Sequence, residues 1–554
     1  MNKLLLITIF SFIYCDNFSQ NYFQQEVNTT INVSLNDKNN TLSAFEEIEY
    51  INHSPDSLEY IFMHIWPNAY RNNGTDMAIQ NDENGEVDFH FADSIDRGFI
   101  DSLDFKVDGE FVISAPDIDH IDILALVLKS PLPPGEKIII TTPFRVKIPL
   151  GIYSRLGHIG ESYQITQWFP KPAVYDKDGW HPMPYLSQGE FYSEYGSYDV
   201  TITLPKNYVI GATGDLVNGE EEIAWLENKV TETELLLKED KIGFWRKDGM
   251  DFPESSTELK TLHYHQENVH DFAWFADKRY YVLKGELELP HSKNKVTTWA
   301  MFTNNEATLW AKSIEYLNDA TYYYSLWNGD YPYKHVTAVD GSISAGGGME
   351  YPNITVIGES YSPFALEQVI VHEVGHNWFY GILGSNERQH AWMDEGLNTF
   401  TENRYTETKY PKMDLGGIGL PKGIMAKSGL NVYGPRGMYD LGYLFNARRN
   451  YDQPIETTSQ DFTPTNYGSI VYGKTGIGMD YMLAYLGDTL FNKCMHTYFD
   501  KWKFKHPQPD DLRDVFKSVT GKDLSWFFDD YIKTTKKIDY KIAGIKKNET
   551  GDFR

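Results

Sequence analysis

His372-Glu373-Val374-Gly375-His376 is the stretch of this chain best able to do chemistry. On a helix, positions four apart share a face, so the two imidazoles can hold one metal ion. Glu373 then projects beside the metal without binding it, where it can take a proton from water. Val369, Ile370, Val371 and Val374 give this helix an apolar side, which would bury it and fix both histidine rotamers. A catalytic zinc usually takes three protein ligands and leaves a fourth position open for water. On spacing alone, Glu387, His390 and Glu395 are all candidates for the third ligand. Glu395 also reads as a first-turn acid favoured by the dipole of the helix it opens.

Two further carboxylates stand out. Glu350 follows Gly346-Gly347-Gly348-Met349. Glycines let backbone approach a bound peptide closely in strand-like pairing, and a carboxylate beside that edge can hold an α-ammonium. The bland alternative is a surface loop with an incidental acid. Glu402 follows Glu395 by two helical turns and shares its face, either as a surface acid or as a partner to a ligating histidine.

His372-Glu373-x-x-His376, with 18 residues before Glu395, resembles the gluzincin pattern of the aminopeptidase N family, which includes leukotriene hydrolase. Gly347-Gly348-Met349-Glu350 resembles that family's Gly-x-Met-Glu-Asn exopeptidase motif, with Tyr351 in place of the asparagine. Tyr331-Pro332-Tyr333-Lys334 and Trp378 resemble other family elements. Tyr472-Gly473-Lys474 resembles its Tyr-x-Lys element, with Tyr467 five residues ahead. The resemblance spans most of residues 30 to 540. It implies one Zn2+ per chain held by His372, His376 and Glu395, with Glu373 as general base and Tyr472 as hydrogen-bond donor to the developing oxyanion. It also implies Glu402 as partner of a ligating histidine, and a substrate subsite at Gly347, Gly348, Met349, Glu350 and Tyr467. The family often adds an amine-binding Gln or Glu from the N-terminal domain. In Thr166-Gln167-Trp168-Phe169 the aligned position is Phe169, so Gln167 is the substitute. The implied activity is removal of residues from peptides with a free N-terminus. Alternatives are an endopeptidase or epoxide hydrolase using the same metal, or a silent binding protein, which would have no chemical need for Glu373.

These residues need elements to hold them. Residues 21 to 281 read mainly as strand, with Ile31, Val33 and Leu35 alternating with polar residues, as do Tyr198, Val200, Ile202 and Leu204. Asn72-Asn73-Gly74, Pro133-Pro134-Gly135 and Asn218-Gly219 read as turns. Helices are expected over 305–326, 366–380 and 395–408, and again beyond Gly476, with Asp510 as an N-cap and Gly521 past the matching end. The fold class is therefore multidomain α+β. The resemblance implies a β-rich N-terminal domain over 20–283, then a thermolysin-like catalytic domain with a helical lobe over 284–540. Residues 541–554 read as the possible start of a further module.

Lys3 followed by an uncharged run from Leu4 to Tyr14 reads as a signal peptide over 1–19 and predicts export. The run is too short to span a bilayer, and no transmembrane segment is expected in the mature chain. Bulky Tyr14 argues against a lipid anchor at Cys15. Of the two cysteines, Cys494 alone would remain, which excludes an intrachain disulfide. Formal net charge is -28 in 554 residues, so the surface repels phosphates and nucleic acid is excluded as a partner. Nothing in the residues sets an oligomeric state.

Overall fold

The computed structural model describes residues 22–537, apart from 244–248, 342–346, 412–421, 429–433 and 435. The expected signal peptide over 1–19 and the possible module over 541–554 lie outside the described residues.

Alternating burial builds the N-terminal part. In Glu26–Asn36, Val27, Ile31, Val33 and Leu35 are buried between more exposed neighbours. This strand pairs antiparallel with Thr41–Ile51 and parallel with Gly196–Pro205, at the centre of a nine-stranded sheet. Two four-stranded sheets pack with it. Among the described residues two α-helices, Asp76–Asn84 and Glu220–Lys238, interrupt the region that the sequence reads as mainly strand, and Asn218-Gly219 leads into the second rather than turning between strands. Three glutamates in the first turn of Glu220–Lys238 favour a helix start through the dipole.

Tyr281–Glu288 opens a further, five-stranded sheet, in the order Tyr281–Glu288, Lys295–Phe302, His335–Asp340, Ile354–Ile357, Gly348–Tyr351. The two inner pairings are parallel and the two outer ones antiparallel. Among the described residues Gly348–Tyr351 is thus an edge strand, with one side of its backbone unpaired.

Helices cover this sheet. The expected 305–326 helix is split into Ala307–Trp310 and Ser313–Asn328. Pro363–Gly375 starts on Ser362, whose hydroxyl accepts from Ala365 N at 3.1 Å, with Pro363 in the first position where its missing N–H costs nothing. Just past its end Trp378 is fully buried; its indole donates to Gly329 O at 2.7 Å and its ring lies 5.4 Å from those of Tyr324 and Tyr331. Truncating such a side chain costs about 3–5 kcal/mol. The C-terminal helices run over Thr475–Leu486, Asp488–Trp502 and Pro509–Thr520. The last is capped by Gln508 rather than Asp510, because Gln508 and Asp511 satisfy each other's backbone N–H in a capping box. Gly521, at φ 65°, ends it in the left-handed conformation, as its position predicts.

Candidate active site

Three elements meet at one point. Helix Pro363–Gly375 presents His372 and Glu373, and His376 sits at its C-cap. A widened π-helical turn, Trp392–Gly396, presents Asp394 and Glu395 before the chain continues as helix Leu397–Lys409. A second such turn, Tyr467–Lys474, presents Tyr472. Wide turns of this kind recur at functional sites because they redirect successive side chains. The helices pack closely: a Cβ on Gly375 would lie 2.1 Å from Asn398 Oδ1 and 2.4 Å from the Tyr324 ring. Asn398 in turn donates to His372 O at 2.8 Å, tying the two helices at the metal-binding face.

His372 Nε2 and His376 Nε2 are 3.1 Å apart, and Glu395 Oε2 lies 3.1 Å from the first and 3.3 Å from the second. Four ligands at about 2.0–2.1 Å from zinc in a tetrahedron stand roughly 3.3 Å from one another, so this triangle has the size of one face of such a site. The far nitrogens explain its orientation. His376 Nδ1 is 2.7 Å from Asp394 Oδ1, and His372 Nδ1 is 3.1 Å from Glu402 Oε2. Each carboxylate accepts a hydrogen bond from the Nδ1–H, which leaves the Nε2 lone pair facing inward. Two imidazole lone pairs facing each other repel unless a cation lies between them, so the donor set fits a zinc ion. Of the alternative third ligands, Glu387 accepts from Phe191 N at 2.7 Å and His390 pairs with Glu456 at 2.9 Å. Neither joins the triangle.

The ligands open onto a cleft also lined by Glu190, Gly347, Gly348, Met349, Glu350, Gln368, Val369, Glu373, Glu402, Tyr439 and Tyr472, with about 350 Å³ of free volume. Glu373 is buried and its Oε2 has no hydrogen-bond partner. Burial pushes its carboxyl up to about 8; the two imidazoles oppose this and Glu350 and Glu395 add to it. Burial likewise pushes Glu350 to about 7, against the pull of His376 and with the push of Asp394 and Glu395. Burial also acts to raise Glu395, but the imidazoles prevail and hold it well below the usual carboxylate range. The Tyr472 hydroxyl donates to Glu395 Oε1. The Tyr467 ring lies 5.9 Å from that of Tyr472, and its buried hydroxyl has no hydrogen-bond partner.

Gln167 is not among the residues lining this cleft. It accepts a hydrogen bond from the Tyr351 hydroxyl at 3.2 Å and borders a small neighbouring pocket that Glu350 and His376 also line. Glu190, Asp394, Gln368 and Tyr439 are neighbours of the site that the sequence reading did not single out. Asp394 had a signal, since it is adjacent to Glu395, but helical spacing would turn it away; only the π-helical turn brings both carboxylates to His376.

Residues 312–531 match the model of the peptidase family M1 domain. The chain is similar to Probable aminopeptidase 2 of Sulfurisphaera tokodaii, 22% identical over 247 residues that cover 43% of this chain and 29% of that protein. It is also similar to Aminopeptidase N of Lactococcus lactis subsp. lactis, 23% identical over 198 residues, 35% of this chain and 22% of the relative. The chain thus spans less than a third of the length of these curated relatives. Among solved structures, the M1 zinc metallopeptidase from Deinococcus radiodurans superposes with a TM-score of 0.59 over 93% of this chain and 95% of that one, at 12% identity. At that identity the likeness is one of fold.

Proposed function

We infer, from the chain's membership of peptidase family M1, that it is a zinc-dependent aminopeptidase that removes single residues from the N-termini of peptides. The observation that carries this reading is the triangle of His372, His376 and Glu395 with a free Glu373 carboxylate beside it and the Glu350 edge strand closing the same cleft. When bound, zinc supplies a Lewis acid that polarises the scissile carbonyl and lowers the pKa of water to about 7.

The chain's own residues do the rest. The peptide lies along the Gly347–Met349 edge, where backbone N–H and C=O groups pair with it as an added strand. Glu350 takes the α-ammonium by charge-assisted hydrogen bonds, which fixes the first peptide bond over the ligands. Glu373 Oε2 takes a proton from the attacking water and passes it to the leaving nitrogen as the C–N bond breaks. The Tyr472 hydroxyl turns from Glu395 to the carbonyl oxygen as negative charge grows there. Tyr467 borders Tyr472 and shapes the subsite. The Lys3 start and the uncharged run to Tyr14 support export, with the mature chain beginning near residue 20.

Aminoacyl amides with free and acetylated N-termini, assayed with and without chelator, test this. Fast cleavage of the free amine alone, abolished by chelator, is expected. Equal cleavage of blocked substrates would replace the reading with a zinc endopeptidase.

A further inference from the structure

A second cavity, of about 440 Å³, lies away from the zinc-ligand triangle and shares no lining residue with its cleft. Its floor is one face of the five-stranded sheet. Thr297, Trp299 and Met301 alternate along Lys295–Phe302 and so point the same way, and helix Glu220–Lys238 adds Ile223 and Leu226 as a wall. Thr298 points to the opposite face, where it donates to Asn318 of helix Ser313–Asn328 at 2.9 Å. That helix packs against Pro363–Gly375, which carries His372, so the sheet separates the cavity from the catalytic cleft. The far wall comes from the N-terminal part, through Ile210, Ala212, Leu216 and Tyr264.

The lining suits one kind of ligand. Ile210, Ala212, Leu226 and Met301 are buried and apolar. Protein interiors are otherwise packed to the density of organic crystals, and a void of this size falls in the range of about 300–1,000 Å³ typical of ligand pockets. The polar groups among these apolar ones are donors. Tyr264 and Trp299 are only 6% and 9% exposed, yet neither the phenolic hydroxyl nor the indole N–H has a hydrogen-bond partner among the described residues. An indole N–H can only donate, and leaving such a buried group unpaired is costly. Burial pushes the Tyr264 hydroxyl well above its ordinary range, so it keeps its proton and donates as well. Two cations stand at the mouth. The Lys284 ammonium lies 5.1 Å from the centre of the Trp299 ring and pairs with Glu227, and Lys334 pairs with Asp215 at 2.6 Å. Each ammonium has three N–H donors, so one carboxylate partner orients it and leaves donors to spare.

We propose that this cavity is a second ligand site, for a small amphipathic carboxylate whose apolar body lies on Trp299, Met301 and Leu226 and whose carboxylate is taken by the donors of Tyr264, Trp299, Lys284 and Lys334. A carboxylate offers acceptor positions only, which is what an enclosure lined with unpaired donors lacks. Its full negative charge makes the stronger, charge-assisted bonds, which a neutral ester of the same shape cannot match. A medium-chain fatty acid and an N-acylated apolar amino acid share this chemistry. The site stands apart from the peptidase reading, since none of its residues takes part in the cleft.

Equilibrium dialysis of the zinc-loaded full-length protein tests this, with a hydroxamate present in excess to fill the catalytic cleft. Decanoate and N-acetylphenylalanine are the probes, and their methyl esters are the uncharged controls. At least one acid should bind at one per chain, and whichever binds tighter names the source of the ligand. Its methyl ester should bind at least about tenfold more weakly, as for loss of a charged hydrogen bond. Thr297→Trp, which fills the cavity, should abolish binding. Tyr264→Phe and Lys334→Ala should each weaken it about tenfold, with zinc content and peptide hydrolysis unchanged. No saturable binding of either acid would overturn the proposal, and so would esters that bind as tightly as the acids. Full binding by a folded Thr297→Trp, or unchanged affinity in both Tyr264→Phe and Lys334→Ala, would place the ligand elsewhere and overturn it too. Should Thr297→Trp not fold, the other two variants decide the matter, since one loses a single oxygen atom and the other a side chain that is 83% exposed.

Discussion

Gly348 lies directly against Glu373: a Cβ built on Gly348 would stand 2.5 Å from both Cγ and Oε1 of the glutamate. The edge strand and the helix carrying the metal-binding pair therefore meet at the residue proposed as general base. The sequence reading gives Gly348 one purpose, close approach of substrate backbone. The structure adds a second, since the missing side chain is also the space that Glu373 occupies.

Gly348→Ala is accordingly expected to fold and bind zinc normally, because the atoms it would strike belong to a side chain that can swing aside. The cost falls on catalysis. A displacement of about 1 Å in a reacting group can lower turnover roughly 100-fold. Steady-state kinetics beside a thermal melt would check this, with kcat falling while Tm stays within a few degrees. A variant of full activity would show that Glu373 does not need the position seen here.

Metal removal separates binding from chemistry. Zinc that binds only the folded chain stabilises it in proportion to the logarithm of its free concentration. Chelation should therefore lower Tm, and added zinc should restore it. His372→Ala should abolish that zinc-dependent shift. Glu373→Gln should keep it while losing about two to four orders of magnitude in turnover, since an amide cannot accept the proton. A Glu373→Gln enzyme with wild-type turnover would reassign the base.

Asp394 and Glu402 bear on affinity rather than on the chemical step. Each faces the Nδ1 of one histidine, at 2.7 and 3.1 Å. Replacing such a partner typically costs about 10–100-fold in metal affinity. Asp394→Asn should show the larger effect, because Asp394 is fully buried and its bond is shorter. Zinc competition against a chelator of known affinity measures both variants, and unchanged affinity in both would make these carboxylates incidental.

The sequence was most legible where chemistry imposes local spacing. His372 and His376 sit four apart because one ion must touch both, and that spacing survives any detail of the fold. The β-rich N-terminal part and the C-terminal helices are legible too, through alternation at Ile31, Val33 and Leu35 and punctuation at Gly521, whereas the five-stranded mixed sheet is not. What could not be read depends on long-range approach. Glu190 is far from the zinc motif in sequence, and only Arg155 and Arg388, from separate parts of the chain, bring it to the cleft. The π-helical turn at Trp392–Gly396 was hidden because its residues fit an ordinary helix equally well. Helix Glu220–Lys238 was missed for a different reason: a strand-rich context outweighed a run of good helix formers.

Tyr472 offers the sharpest separation of roles. Its hydroxyl donates to Glu395 Oε1, so it touches a proposed zinc ligand as well as the cleft. If it serves only to orient Glu395, Tyr472→Phe should weaken zinc binding, and excess zinc should restore activity. If it donates to the carbonyl oxygen as charge develops there, the loss appears in kcat and no zinc concentration repairs it. The second outcome is expected. Removing one preorganised oxyanion donor costs about 10²–10³ in kcat, with little change in KM because the contact strengthens only in the transition state. The Tyr467 ring, 5.9 Å from Tyr472, provides the control. Tyr467→Phe removes a hydroxyl that bonds nothing in this structure and should leave kcat within a few-fold of wild type. A kcat loss in Tyr467→Phe as large as that in Tyr472→Phe would move the donor role to the pair.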